Sequence, residues 1–157
     1  MALPRTPSQT VGPYYSIGLC RRRDNDLAPG GTLLQGRLLD GAGDPVDGML
    51  ELWDARAQRW GRSATDADGR FEFLIAKPEP LGNDAPHFDV LVFARGLLEH
   101  QLTRIYFPDE DEANAADEVL SALPEHERAT LFARPEDGAL RFDVRLQGDG
   151  ETVFFAV

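Results

Sequence analysis

The chain has 157 residues, with 16 Lys and Arg against 27 Asp and Glu and a formal charge of −11. That length supports one domain with its own core, and the charge argues against nucleic acid or an anionic membrane, which need a basic patch. A single cysteine, Cys20, excludes an intrachain disulfide and a cysteine-based zinc site.

The first segment, Thr6 to Leu19, has neither helical nor strand periodicity, yet it holds two of the three tyrosines, Tyr14 and Tyr15. Pro7 and Pro13 restrict φ and extend the residues before them. Such an arm is too stiff and aromatic for a disordered tag, and it reads as a segment that docks on a surface. Arg21-Arg22-Arg23 runs directly into Asp24-Asn25-Asp26, so the connector is a solvated turn. Residues 1–29 are assigned to arm and connector, and 30–157 to the folded domain.

From Gly31 onward, short strands alternate with Gly, Pro and Asp turns, the pattern of a sandwich or barrel. Thr32 to Asp40, Val46 to Trp53, Arg70 to Ile75, His87 to Arg95 and Gln101 to Phe107 are the expected strands. Phe71 and Phe73 alternate with polar residues and share one face. Pro108 to Glu118 and Ser121 to Thr130 are the only helical candidates, giving one or two short helices. Leu140 to Leu146 and Thr152 to Phe155 close the chain. The expected fold is an all-β antiparallel sandwich. No apolar run reaches bilayer length and Met1 to Arg5 lacks a signal-peptide core, so a soluble cytoplasmic protein is expected.

Catalytic equipment is sparse. His126 lies in a charged helical segment, while His87 and His100 flank a hairpin and form no local His-x-His or His-Glu-x-x-His site. No nucleophile triad and no glycine-rich phosphate loop is visible. By residue chemistry alone the chain is a scaffold or a contributing subunit.

Several segments together resemble the intradiol ring-cleaving dioxygenases. They are Thr10-Val11-Gly12-Pro13-Tyr14, Leu50-Glu51-Leu52-Trp53, Asp66-Ala67-Asp68-Gly69, Phe93-Ala94-Arg95-Gly96 and Thr103-Arg104-Ile105-Tyr106-Phe107. Arg141-Phe142-Asp143-Val144-Arg145-Leu146-Gln147-Gly148 and Gly150-Glu151-Thr152-Val153-Phe154-Phe155 complete the likeness, which covers nearly the whole chain. The resemblance implies a transthyretin-like sandwich and, in the family, ferric iron held by two tyrosines and two histidines. Here the His-x-His strand reads His87-Phe88-Asp89, and the tyrosine positions fall near Leu81 and Trp60. One candidate ligand of four cannot hold Fe(III), which favours hard anionic oxygens beside imidazole. The resemblance is therefore to the iron-free alpha type of subunit, with no catalytic residue and no metal ligand of its own.

In that reading Fe(III) sits in a partner beta subunit, and the two assemble as a symmetric oligomer of alpha–beta heterodimers. Thr10, Gly12, Pro13, Tyr14 and Arg95 line the partner's pocket, where an aromatic carboxylate substrate meets O2. Arg95 orients the carboxylate, or else pairs with Asp89, Glu99 or an acid across the interface. Tyr14 is either pocket wall or interface packing. Arg104 and His87 are read as structural, and Trp53 and Trp60 as core or interface anchors. Two other readings stand beside this one: a self-sufficient dioxygenase with unusual ligands, and a non-enzymatic transthyretin-like binding module.

Overall fold

A computed structural model describes residues 4–156. The arm carries a short helix, α1 (Tyr15–Leu19), where the sequence suggested no regular structure. A turn over Gly12 and Pro13 leads into it: the Tyr15 amide donates to the Gly12 carbonyl at 3.3 Å, with Pro13 at the second turn position, where its fixed φ suits the turn.

Strands β1 (Thr32–Leu39), β2 (Gly48–Asp54), β3 (Arg59–Ala64), β4 (Arg70–Ile75), β5 (His87–Ala94) and β6 (Gln101–Tyr106) follow. After them come α2 (Asp111–Ala116), α3 (Glu118–Ala122), α4 (Glu125–Arg128) and a 3-10 turn, Ala129–Leu131. Strands β7 (Arg134–Glu136), β8 (Ala139–Arg141) and β9 (Val144–Arg145) end the order. One sheet runs β4-β1-β8-β7 with β9 also on β1, and the other runs β3-β2-β5-β6. The expected sandwich is present, although β8 and β9 both lie parallel to β1.

Period-two alternation closes the core between the sheets. Leu50 and Leu52 of β2, Phe71 and Phe73 of β4, and Val90 and Val92 of β5 meet Leu34, Leu38 and Phe142. The connector also contributes, since Leu27 is buried in this cluster and Asp26 bridges Leu74.

Four expectations need correction. The strand expected at Leu140–Leu146 is broken into β8 and β9, because the Asp143 carboxylate, in place of a carbonyl, accepts the Arg37 amide at 2.9 Å. Phe142 crosses so close to β1 that a Cβ on Gly36 would lie 1.7 Å from its carbonyl oxygen. Thr152–Phe155 makes only a bridge from Phe155 to Leu102, since Val153 instead bonds the hydroxyls of Thr103 and Thr130. The acidic segment forms three short helices where one or two were expected. Asp117 ends α2 and caps α3 by accepting the Leu120 amide at 2.9 Å, and Pro124, which has no N–H, separates α3 from α4. The fourth concerns one of the two alternatives for Trp53 and Trp60, core or interface anchors: both face outward on β2 and β3, which excludes the core alternative.

Candidate functional site

The arm folds back over the end of β5. Ser8 donates to Glu99 at 3.5 Å, the Gly96 amide donates to the Thr10 hydroxyl at 2.7 Å, and the Tyr15 hydroxyl donates to the Phe93 carbonyl at 3.4 Å. Burial first, and then the Asp47 carboxylate, push the Tyr15 phenol above its ordinary value. Arm and strand end enclose an open concavity of about 610 Å³ lined by Thr10, Gly12, Pro13, Asp47, Arg95 and neighbours. Gly96 makes the turn after Arg95 at φ +96°, a left-handed conformation that suits glycine.

Four of the five expected site residues, Thr10, Gly12, Pro13 and Arg95, therefore meet in one place. Tyr14 is 76% exposed and stands outside the lining. Arg95 pairs with neither Asp89 nor Glu99. Its amide donates to the Asp47 carbonyl at 3.2 Å, and its guanidinium faces the Asp47 carboxylate at 3.9 Å. Asp47 was absent from the sequence expectations, and only the β2–β5 register, with Gly48 opposite Ala94, reveals it. A Cβ on Gly12 would meet nothing within 4 Å in this chain.

A second group of residues occupies the outer face of the β3-β2-β5-β6 sheet. Cross-strand pairing sets Trp60, Trp53, Asp89 and Arg104 in one row. Arg104 donates through Nε to Asp89 at 3.1 Å and through Nη1 to the Tyr106 hydroxyl at 3.1 Å, and Nη1 also faces Asp84 at 3.5 Å. His87 is buried, with Nδ1 bonded to the Ala85 carbonyl at 2.7 Å and Nε2 3.6 Å from Asp89. Burial pushes the Asp89 carboxyl up, but the bonds and charges of His87 and Arg104 outweigh it and hold it below the usual range. For Arg104, burial acts downward and is outweighed by Tyr106 and the two aspartates.

This group does not fit a ferric ion. A guanidinium already fills the space between the oxygen donors, Leu81 and Trp60 offer apolar side chains, and His87 is engaged on both ring nitrogens. Among the described residues no group of three or more His, Cys, Asp or Glu converges as a metal site. His126 is exposed on α4 and His100 stacks on Phe93 at 5.5 Å. No described helix is long and apolar enough to cross a membrane.

No family profile matches the chain. In three dimensions, the dioxygenase domain of a dioxygenase–carbohydrate-binding fusion from Streptomyces sp. SirexAA-E superposes with a TM-score of 0.63. It is 23% identical, and the match covers 92% of this chain and 99% of that one. The sandwich thus shares the fold of that dioxygenase domain. In sequence, a protocatechuate 3,4-dioxygenase alpha chain from Burkholderia cepacia is 41% identical over 194 aligned positions, covering 99% of this chain and 98% of that one. The alpha chain from Pseudomonas putida is 40% identical, covering 98% and 96%. The Burkholderia cepacia beta chain is 30% identical over 76% of this chain and 66% of that one. The chain belongs to the protocatechuate 3,4-dioxygenase alpha-chain family. Those 194 aligned positions exceed the 157 residues here, so the relative carries segments that this chain lacks.

Proposed function

We propose that this chain is the iron-free alpha subunit of a protocatechuate 3,4-dioxygenase, lining a substrate pocket whose Fe(III) belongs to a beta subunit. The complex cleaves the ring of protocatechuate between its two hydroxyl-bearing carbons. Both oxygen atoms of O2 enter the product, 3-carboxy-cis,cis-muconate, an acid of the β-ketoadipate route of aromatic catabolism. The iron supplies the ring activation when bound in the partner. The observation that carries the reading is the meeting of Thr10, Gly12, Pro13 and Arg95 in one concavity.

Each residue has a task there. Arg95 holds the substrate carboxylate through charge-assisted bonds. Gly12 and Pro13 bring bare backbone to the pocket wall, and the open space around Gly12 leaves room for close approach. Thr10 keeps the arm fastened through the Gly96 amide. Tyr14, exposed on the arm, contacts the beta subunit. The assembly is a cytoplasmic, symmetric oligomer of alpha–beta heterodimers.

Co-expression with a beta chain carrying two tyrosines and two histidines tests this. The expected product is a stable complex whose iron stays with the beta chain, and in which Arg95→Ala raises KM for protocatechuate more than it lowers kcat. Deleting residues 1–15 is expected to leave the sandwich folded and to weaken assembly or activity. Stoichiometric ferric iron in the alpha chain alone, with a tyrosinate-to-iron absorption band, would overturn the proposal. Failure to form any complex would favour a binding module instead.

A further inference from the structure

The concavity between arm and strand end holds one feature that the pocket reading leaves unused. Among the described residues, Arg95 and Asp47 are the only charged ones in its lining, and they face each other at 3.9 Å with both side chains about half exposed. The two are fixed independently of their side chains, because the Arg95 amide donates to the Asp47 carbonyl at 3.2 Å. The side-chain contact is long for a charge-assisted bond and open to water, so it does little to position the guanidinium. Its main effect is charge: Asp47 offsets the Arg95 cation that an anionic ligand would meet there.

We infer that Asp47 is a specificity-determining residue that tempers carboxylate binding at Arg95. The inference rests on the pocket reading above. A substrate carboxylate bound to Nη1, on the side away from Asp47, lies roughly 6–7 Å from the Asp47 oxygens, given the 3.9 Å contact and a bond length of about 2.8 Å. Two like charges at that separation in largely aqueous surroundings repel enough to weaken binding by about threefold to fivefold. A neutral ligand of the same shape experiences no such repulsion. Asp47 therefore narrows the advantage of acidic over neutral catechols and speeds release of the acidic product.

The test uses the assembled alpha–beta complex at low ionic strength. Asp47→Asn keeps the backbone bond to Arg95 and removes only the charge. It is expected to lower KM for protocatechuate about threefold to fivefold and to leave the inhibition constant of neutral 3,4-dihydroxybenzamide unchanged. The gain is expected to shrink as salt rises, because the groups are half exposed. Arg95→Ala is measured alongside. If Arg95→Ala raises KM but Asp47→Asn leaves it unchanged or raises it, the inference falls and the pocket reading stands. An equal shift for the acid and the amide also overturns the inference, since it would mark a purely structural effect. If Arg95→Ala leaves KM unchanged, the pocket reading falls and takes the inference with it.

Discussion

Replacing Arg104 by Gln tests whether a guanidinium holds the outer face of the β3-β2-β5-β6 sheet together. Its side chain is 21% exposed and that of its main partner Asp89 is 28% exposed. Removing one member of a fully buried pair costs about 3–5 kcal/mol, because the other charge is stranded. An exposed pair is worth at most about 1 kcal/mol. This pair lies nearer the buried limit but keeps some water, so Arg104→Gln is expected to destabilise the chain by about 2 kcal/mol. That corresponds to a fall in Tm of roughly 4–8 °C for a domain of this size. The assay is urea unfolding of the chain followed by circular dichroism, with the change read at constant m. The Asp89→Asn variant and the double variant complete a cycle whose coupling is expected at about 1–2 kcal/mol. The pH dependence follows from the lowered Asp89 carboxyl. A depressed carboxylate contributes stability above its unfolded pKa, close to 3.8, and loses it as pH falls through the lower folded value. Wild type should therefore lose stability more steeply below that point than Asp89→Asn. A loss under about 0.5 kcal/mol, the range of ordinary surface substitutions, would refute the argument.

Burial raises the Tyr106 phenol from 10.0 to about 12, against the lowering effect of Arg104. A raised pKa gives stability that is complete below pH 10 and is lost as pH rises towards 12; Tyr106→Phe should remove that alkaline loss in a pH series of urea midpoints. Gly12→Val should leave the urea midpoint of the chain unchanged, since a Cβ there meets nothing within 4 Å. The same substitution should cut the activity of the alpha–beta complex at least tenfold. Full activity would show that no neighbour approaches the arm at that point.

The strands that could be read in the sequence are those whose inward positions are large and apolar. Leu50-Glu51-Leu52-Trp53 and Phe71-Glu72-Phe73 alternate cleanly, and both form strands. Strand β3 gave no such signal because its inward positions are Gly61 and Ser63. Gly61 is small because Leu27 packs over it, where a Cβ would lie 2.2 Å from a leucine methyl. That contact comes from a connector more than thirty residues away, which no local pattern reports. The pocket residues were legible only through resemblance, since Thr10-Val11-Gly12-Pro13 has no periodicity of its own. Of the partners that the sequence offers Arg95, Asp89 is out of reach for a geometric reason. Asp89 lies on the outer sheet face, where the cross-strand Arg104 takes it, whereas Arg95 lies just past the strand end, level with Asp47.

A net charge of −11 looks unsuited to the proposed role in capturing a carboxylate, but charges beyond about 8 Å are largely screened at physiological salt. Local placement therefore decides. Many of the acids are already occupied: Asp89 and Asp84 face Arg104, Asp109 and Glu110 hold Lys77, and Asp143 holds Arg141. Lys77 and Arg104 are spent in the same pairs, so neither offers a free cation at its position. Arg95 differs in that, among the described residues, its guanidinium has one long contact, to Asp47, and in standing within an arm-covered concavity. An anion reaching that hollow meets one underused guanidinium and one carboxylate at a known distance. In the proposed pocket, the balance between those two groups, more than the sign of the whole molecule, would set how tightly an acidic ring is held.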